Sequence, residues 1–302
     1  MAVNRAQILK ELEPGLNAIF GMEYDRYERE DEYIFDKETS QRAFEEEVLF
    51  SGFGAAPVKP EGAAVAYDEA REGWVARYQH DTIALAFSLT EEAMEDNLYD
   101  TLSKRLTKAL ARSMAHTKQV KAANIMNNGF NSSFAGGDGV ALFSTAHPLV
   151  AGNNVANKPT TDVDLSEEAL ENALIDIANF VDDRNIPVAV QARKLCVPPQ
   201  LVFVADRLLH TPYRVGTADN DLNSIYNMSM FPEGFGVNHR FTDPNAWFIV
   251  TDAPNGLKNF ERTAMKTNME GDFETGNVRF KARERYSYGW SDWRGAYGSS
   301  GT

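Results

Sequence analysis

Ser144 and His147 come closest, among the 302 residues of this chain, to a catalytic pair. Within Phe143-Ser-Thr-Ala-His-Pro148 they offer a nucleophile and a base, and Asp138 offers a carboxylate to orient the imidazole, the constellation used in acyl transfer. Nothing around Ser144 reads as a strand-to-helix elbow, and Pro148 biases His147 toward extended backbone. A turn in which His147 hydrogen-bonds locally accounts for the segment better. The five histidines, His80, His116, His147, His210 and His239, never pair at the i, i+3 or i, i+4 spacing of a helical metal site, so no metal is expected. Gly136-Gly-Asp-Gly139 lacks the Gly-Lys-Ser/Thr that closes a phosphate loop and reads as a flexible turn. Carboxylate pairs are so abundant that naming one as general acid and base would be arbitrary. The expectation is a non-enzyme without cofactors, with a serine hydrolase built on Ser144 and His147 as the alternative.

Two other patterns stand out. Arg279, Lys281, Arg283 and Arg285 recur at every second residue, so a strand puts four cations on one face and Phe280 and Ala282 on the other. Such a row repels itself unless carboxylates or phosphates face it. Residues 25–38 carry Asp25, Glu28, Glu30, Asp31, Glu32, Asp36 and Glu38, and this acidic segment is the expected partner, with Glu30 and Glu32 as the pair to reverse in a test. The contact could lie within a chain or between neighbours. The run Tyr286-Ser-Tyr-Gly-Trp-Ser-Asp-Trp-Arg-Gly-Ala-Tyr297 brings Trp290, Trp293 and Arg294 together, a composition enriched at protein interfaces; a terminus docked on its own core is the other reading.

The elements that must position these residues follow from periodicity. Residues 25–38 lack helical periodicity and suit an extended arm. Residues 52–73 are punctuated by Gly52, Gly54, Pro57, Pro60, Gly62 and Gly73, and two β-rich runs, Ala63–Tyr67 and Trp74–Phe87, predict a long hairpin with its tip around Asp68–Gly73. Trp74 and Tyr78 share one face of it. A two-stranded hairpin is marginal alone, so these aromatics are expected to lean on the body or on another subunit. Ser88 and Thr90 offer N-caps to a helix over about 91–127, whose stripe runs through Met94, Leu98, Leu102, Leu106 and Leu110 until Asn127-Asn128-Gly129 stops it. A second helix begins near Ser166 with Leu170, Leu174 and Ile177 on its apolar face. Lys194–Ala205 predicts a strand broken by Pro198-Pro199, followed by a short helix around 206–209. Trp247–Thr251 and Asn277–Tyr286 predict further strands. Strands and helices do not alternate regularly, which predicts an α+β fold.

Composition narrows the partners. A 43% apolar, 25% charged chain of this length has material for a substantial core. The net charge of −14 disfavours a general grip on nucleic acid. The charge is uneven, −9 over residues 1–72 and +2 over 258–302, so the two ends are complementary. Cys196 is the one cysteine, which rules out an intrachain disulfide. No run of about 18 apolar residues and no leader pattern is present, so neither a membrane span nor a signal peptide is expected.

These residues together resemble the major capsid proteins of tailed phages, in particular the major head subunit of Mu-like phages. The carriers are Pro14-Gly15 and Tyr33-Ile-Phe-Asp36, Ser88-Leu-Thr-Glu-Glu-Ala93, Leu142-Phe-Ser-Thr-Ala-His-Pro148, Val197-Pro-Pro199, Gly216-Thr-Ala-Asp-Asn-Asp-Leu-Asn223, and most specifically Lys281-Ala-Arg-Glu-Arg-Tyr-Ser-Tyr-Gly-Trp-Ser-Asp-Trp-Arg294. The resemblance implies the Hong Kong 97-type fold. Residues 1–50 would be an N-terminal arm, 51–88 an E-loop hairpin lying over a neighbour, 89–164 a peripheral domain with spine helix 91–127, 165–245 an axial domain, and 246–302 the returning peripheral strands. It further implies a homo-oligomer of hexamers and pentamers in an icosahedral shell around double-stranded DNA. Contact with that DNA would be weak and non-specific. A separate scaffolding protein and a portal are implied, and decoration proteins are a further option. The setting would be a virion assembled in the bacterial cytoplasm. An encapsulin-like compartment is the alternative among shell proteins. In the fold's namesake an E-loop lysine is cross-linked to a neighbour; Lys59, the one lysine between 51 and 88, is expected to lie away from the hairpin tip.

Overall fold

Strands far apart in sequence assemble the two main sheets. The computed structural model describes residues 5–90, 92, 99–213, 221–272 and 275–302. In chain order the elements are α1 (Arg5–Tyr24), β1 (Asp36–Thr39), β2 (Phe44–Ser51), β3 (Arg71–Gln79), β4 (Asp81–Leu89), α2 (Tyr99–Asn127), β5 (His147–Pro148) and β6 (Asn154–Val155). They continue with α3 (Glu167–Ala178), β7 (Ala192–Val197), α4 (Val202–His210), α5 (Ser224–Asn227), β8 (Phe235–Val237), β9 (Trp247–Thr251), β10 (Leu257–Gly271), β11 (Val278–Trp290) and β12 (Ala296–Ser299). The first sheet has the order β1-β10-β11-β4 and the second β12-β9-β7-β8, while β2 and β3 pair only with each other.

The first sheet buries one face. Along β11, Val278, Phe280, Ala282, Glu284 and Tyr286 are buried and Arg279, Lys281 and Arg283 are exposed, the alternation the sequence predicts. Phe280 and Ala282 meet Leu110, Ala111 and Met114 of α2 and Leu16, Phe20 and Tyr24 of α1. The i, i+4, i+8 spacing of Leu16, Phe20 and Tyr24 keeps α1 helical through Pro14, where the sequence suggests only an arm. One charge sits on this inner face. Glu284, 1% exposed, accepts from the Tyr24 hydroxyl at 3.1 Å and lies 3.7 Å from Lys118. Burial raises its carboxyl above the usual range, and Lys118 and Tyr24 offset only part of that.

The long helix ends at Asn127 as expected, and its described part, 29 residues, spans about 43 Å. Its expected first turns, at 91 and 93–98, lie outside the described residues, as do 214–220 of the Gly216–Asn223 motif. Ser88 is not a cap; it lies in β4 opposite Arg279.

The hairpin differs from the expected one. Its strands are β2 and β3, its connecting loop is 52–70, and Ala63–Tyr67 is loop rather than strand. After β3 the chain leaves the hairpin at His80, and β4 joins β11 of the first sheet. The change of face between His80 and Ile83, visible in the sequence, marks this switch. Lys59 therefore sits inside the loop, not away from the tip.

The second sheet encloses a separate core. Leu170 and Ile177 of α3, Leu195 and Val197 of β7, Trp247 and Ile249 of β9, Ala205 of α4, and Trp293 and Tyr297 pack together. Ser166 caps α3 by accepting from the Ala169 amide. Residues 246–302, expected to return to one domain, are shared: β9 pairs with β7 and β12 with β9, while β10 and β11 join the first sheet. The chain crosses between sheets at Gly256 and again at Gly295, where the two backbones touch. A Cβ on Gly295 would lie 2.4 Å from the Gly256 Cα, so only glycine fits. The crossings are bonded to each other, Ser291 N donating to Gly256 O and Asp292 N to Asn255 O.

Candidate functional site

His147 is buried in a polar knot that does not include the Ser144 hydroxyl as its partner. Its Nδ1 lies 2.6 Å from Asp138 Oδ2 and its Nε2 3.1 Å from Asn157 Oδ1, with the ring stacked on Trp293 at 4.6 Å. Asn157 Nδ2 donates to the carbonyls of Leu142, Trp293 and Ala296, and Asn157 Oδ1 also accepts from Ser144 N. The Ser144 Oγ accepts from Ala146 N. Both ring nitrogens of His147 face partners other than the Ser144 hydroxyl, and the hydrolase constellation is not assembled. The knot ties 138–157 to the last strand. Asn157 is its hub, and no spacing signal in the sequence points to it. Among the described residues no group of three or more His, Cys, Asp or Glu side chains could hold a metal ion.

The hairpin faces the body with one side and solvent with the other. Tyr78, 3% exposed, stands edge-on to Phe260 at 4.7 Å and shares a 2.5 Å hydrogen bond with Ser291 Oγ; Trp74 Nε1 donates to Ser291 O at 3.4 Å. These aromatics thus have partners inside their own chain, and Tyr78 is not a surface residue. Lys258, buried, lies 2.5 Å from Glu47 and 2.9 Å from Glu38. Burial alone would lower its ammonium, but the two carboxylates more than offset this and hold it above the usual lysine value. On the outward side Phe44, Val48, Phe50, Phe53 and Val75 are exposed. The base of the loop is clasped by Arg184, which donates to Gly52 O, Asp68 Oδ1 and Glu69 O. The Gly54 and Glu69 amides, and then Arg184, hold the Asp68 carboxyl below its usual value.

The cationic row is real, but the arm of the same chain does not neutralise it. Glu30 is buried and accepts from His239 and Arg240, Glu32 pairs with Arg29, Asp31 accepts from the Tyr288 hydroxyl, and Glu38 goes to Lys258. Tyr33 also anchors the segment through Val237 O, so residues 28–36 run between the second sheet's edge and the Tyr288 end of β11, away from Arg279–Arg285. Arg279 pairs with Asp272, and Arg285, half-buried, donates to Ala43 O. Lys281 and Arg283 have no partner among the described residues.

The C-terminal aromatic segment is interior. Trp293 and Arg294 are 1% and 4% exposed, and Arg294 joins Asp183, Asp292 and Val181 O. Burial raises the Asp183 carboxyl in spite of Arg294. Trp290, half-buried, covers Gly136, whose Cβ would stand 2.7 Å from the indole nitrogen. Docking on the chain's own core is thus what this segment does. Cys196 is buried and its thiol is pushed up to about 12 by desolvation.

The sequence profile described as phage capsid protein matches residues 74–299. No curated protein matches the chain. Among solved structures it is similar to the capsid of an empty GTA particle, at 12% identity and a TM-score of 0.56, covering 89% of this chain and 88% of that one. It is also similar to a virus-like particle from Pyrococcus furiosus, at 12% identity and a TM-score of 0.51, covering 94% and 97%. The capsid of Myoviridae phage XM1 matches at 10% identity and a TM-score of 0.50, covering 89% of each chain.

Proposed function

Because the chain belongs to the phage capsid protein family and has the Hong Kong 97-type fold, we propose that it is the major head subunit whose copies close into an icosahedral shell around double-stranded DNA. That it is a structural capsid protein follows from the family; the DNA cargo, the hexamers and pentamers, a separate scaffolding protein, a portal, decoration proteins and assembly in the host cytoplasm are parts of the proposal. The observation that carries it is the hairpin. A long loop and an outward hairpin face on which Phe44, Val48, Phe50, Phe53 and Val75 stay exposed are what a subunit completed by its neighbours requires.

In domain terms the proposal assigns α1 and residues 25–43 to the arm, 44–79 to the E-loop, and the first sheet with α2 to the peripheral domain. The second sheet with α3–α5 becomes the axial domain.

The test is expression of the chain with and without the rest of a head-gene cluster, followed by sedimentation and negative-stain imaging. Closed shells are expected. A population of monomers under every condition would refute the reading, and shells that hold protein cargo but never DNA would favour an encapsulin-like compartment instead.

A further inference from the structure

The acids of this chain are unevenly placed. It carries 44 carboxylates against 30 lysines and arginines, yet residues 101–137 hold six cations and no carboxylate, where about five carboxylates would be expected at the average frequency. Most of that stretch is α2. Asp100 is the last acid before it, and Asp138, the partner of His147, is the first after it.

Helix geometry sorts the six. Lys118 is buried against Glu261 and Glu284, Lys121 pairs with Asp81, and Lys104 adjoins Arg105. Arg105, Lys108 and Arg112 fall at i, i+3 and i+7, with His116 one turn further on. They form one exposed stripe about 16 Å long, opposite the buried Leu110 and Met114. Arg105 and Lys108 have no ion-pair partner among the described residues. Arg112 shares Glu23 of α1 with Arg26; the Glu23 side chain is 5% exposed beneath them, the two arginines 53% and 59%. The other described carboxylates of this side lie apart. Asp25 pairs with Arg29, Glu28 sits beside Gln119 two turns past Arg112, and Glu13 is half-buried about three turns before Glu23. Four fixed cations thus stand over one buried carboxylate.

What lies between the cations tells what they fit. Ala109 and Ser113 are exposed there, small side chains where a protein interface would place an apolar core, and the exposed Leu102 and Met22 stand singly beside the stripe. A duplex, with one negative charge per about 1.7 Å of its axis, neutralises such a row without apolar contact. We infer that the Arg105–Lys108–Arg112 stripe of α2, with Arg26, is a local binding surface for the phosphate backbone of duplex DNA. The inference deepens the capsid reading, on which it rests for the source of the duplex. It also orients the subunit: α2 covers Phe280 and Ala282 on one side of the first sheet, the hairpin docks over Phe260 and Gly289 on the other, and the cationic helix marks the side turned to the cargo. With a net charge of −14 elsewhere repelling phosphate, binding is weak per copy and gains strength from many copies along one duplex.

Salt dependence counts the phosphates engaged, and it is read on the unassembled full chain by fluorescence anisotropy of a labelled, mixed-sequence duplex of two helical turns. With about three phosphates neutralised, affinity should fall about fortyfold between about 50 and 200 mM salt. Arg105→Gln with Lys108→Gln removes the two unpaired cations and keeps good helix formers. Circular dichroism should be unchanged, the fall over the same range should shrink to about fourfold, and affinity at about 50 mM salt should drop at least tenfold. Lys281→Gln with Arg283→Gln removes the same charge from the other side of the sheet and should bind as the wild type does. Polyglutamate of matched charge should compete at least tenfold less well than unlabelled duplex.

If the wild type shows no salt-dependent binding, or the α2 and β11 variants lose affinity equally, the inference is wrong, because overall charge and not the stripe then governs binding. Polyglutamate that displaces the duplex as well as duplex itself does would assign the stripe to an acidic protein segment and equally overturn it. Shell formation scores the capsid reading separately. A wild type that forms no shells refutes that reading whatever the anisotropy shows, and shells that form while the α2 variant binds duplex like the wild type refute the inference alone.

Discussion

Removing the Tyr78 ring should detach the hairpin without unfolding the body. The ring is 3% exposed, edge-on to Phe260 at 4.7 Å, and lies over Gly289, where a Cβ would come within 2.7 Å of it. Tyr78→Ala therefore removes a buried aromatic from a site that cannot collapse, a loss of about 3–5 kcal/mol. Tyr78→Phe removes only the hydroxyl, and Ser291 Oγ keeps its bond to Glu47, so about 1 kcal/mol is lost. Since β2 and β3 pair only with each other, the loss falls on their docking to β10 and β11. Hydrogen exchange on the unassembled subunit separates the cases. At about 1.4 kcal/mol per tenfold, amides of 44–51 and 71–79 should lose at least a hundredfold protection in Tyr78→Ala and about fivefold in Tyr78→Phe. Amides of β7 and β9 should be unchanged. Equal loss in β7 and β9, or none in the hairpin, would refute the hairpin as a separately docked unit.

Two further outcomes are expected. The Ser40 hydroxyl donates to Glu45 and so accepts from His80 Nε2, while the Ser287 hydroxyl faces Nδ1; burial, and then Arg285, hold the imidazole below its ordinary 6.5. The fold favours neutral His80, so its stabilising contribution is complete above pH 6.5 and is lost as pH falls through that value and below; melting temperature measured from pH 8 to 5.5 should decline, and His80→Gln should flatten the decline. Asn157→Ala, which strips the donors from three carbonyls, should lower stability by about 2–4 kcal/mol, whereas Ser144→Ala should stay within about 0.5 kcal/mol, both read from urea midpoints.

What the sequence made legible was what local chemistry decides. Trp247–Thr251 is buried at all five positions and reads as a strand from its apolar run. Ser166 and the Leu170/Ile177 stripe give α3, and strict alternation gives β11. What it hid depends on partners far along the chain. Phe44-Glu-Glu-Glu47 falls within the arm expected over 1–50, and its strand is recognisable only once Lys258, 211 residues away, pairs with Glu47. The outward side of β10 carries Lys266, Asn268 and Glu270, so its polarity masked a 15-residue strand. The sequence leaves Tyr78 and Trp74 open between the body and another subunit because the residue that binds both, Ser291, has no sequence signature. The true partners of Glu30 are hidden in the same way: nothing local reveals His239 and Arg240.

The glycine crossing of Gly256 and Gly295 sets where this subunit is compliant. The two crossovers are hydrogen-bonded to each other and in backbone contact, so neither sheet can rotate without breaking Ser291–Gly256 and Asp292–Asn255. If the proposed shell holds pentamers among hexamers, identical subunits must meet at unequal angles. The double crossing then directs that difference away from the two sheets and toward the 52–70 loop, which the body holds through three Arg184 hydrogen bonds.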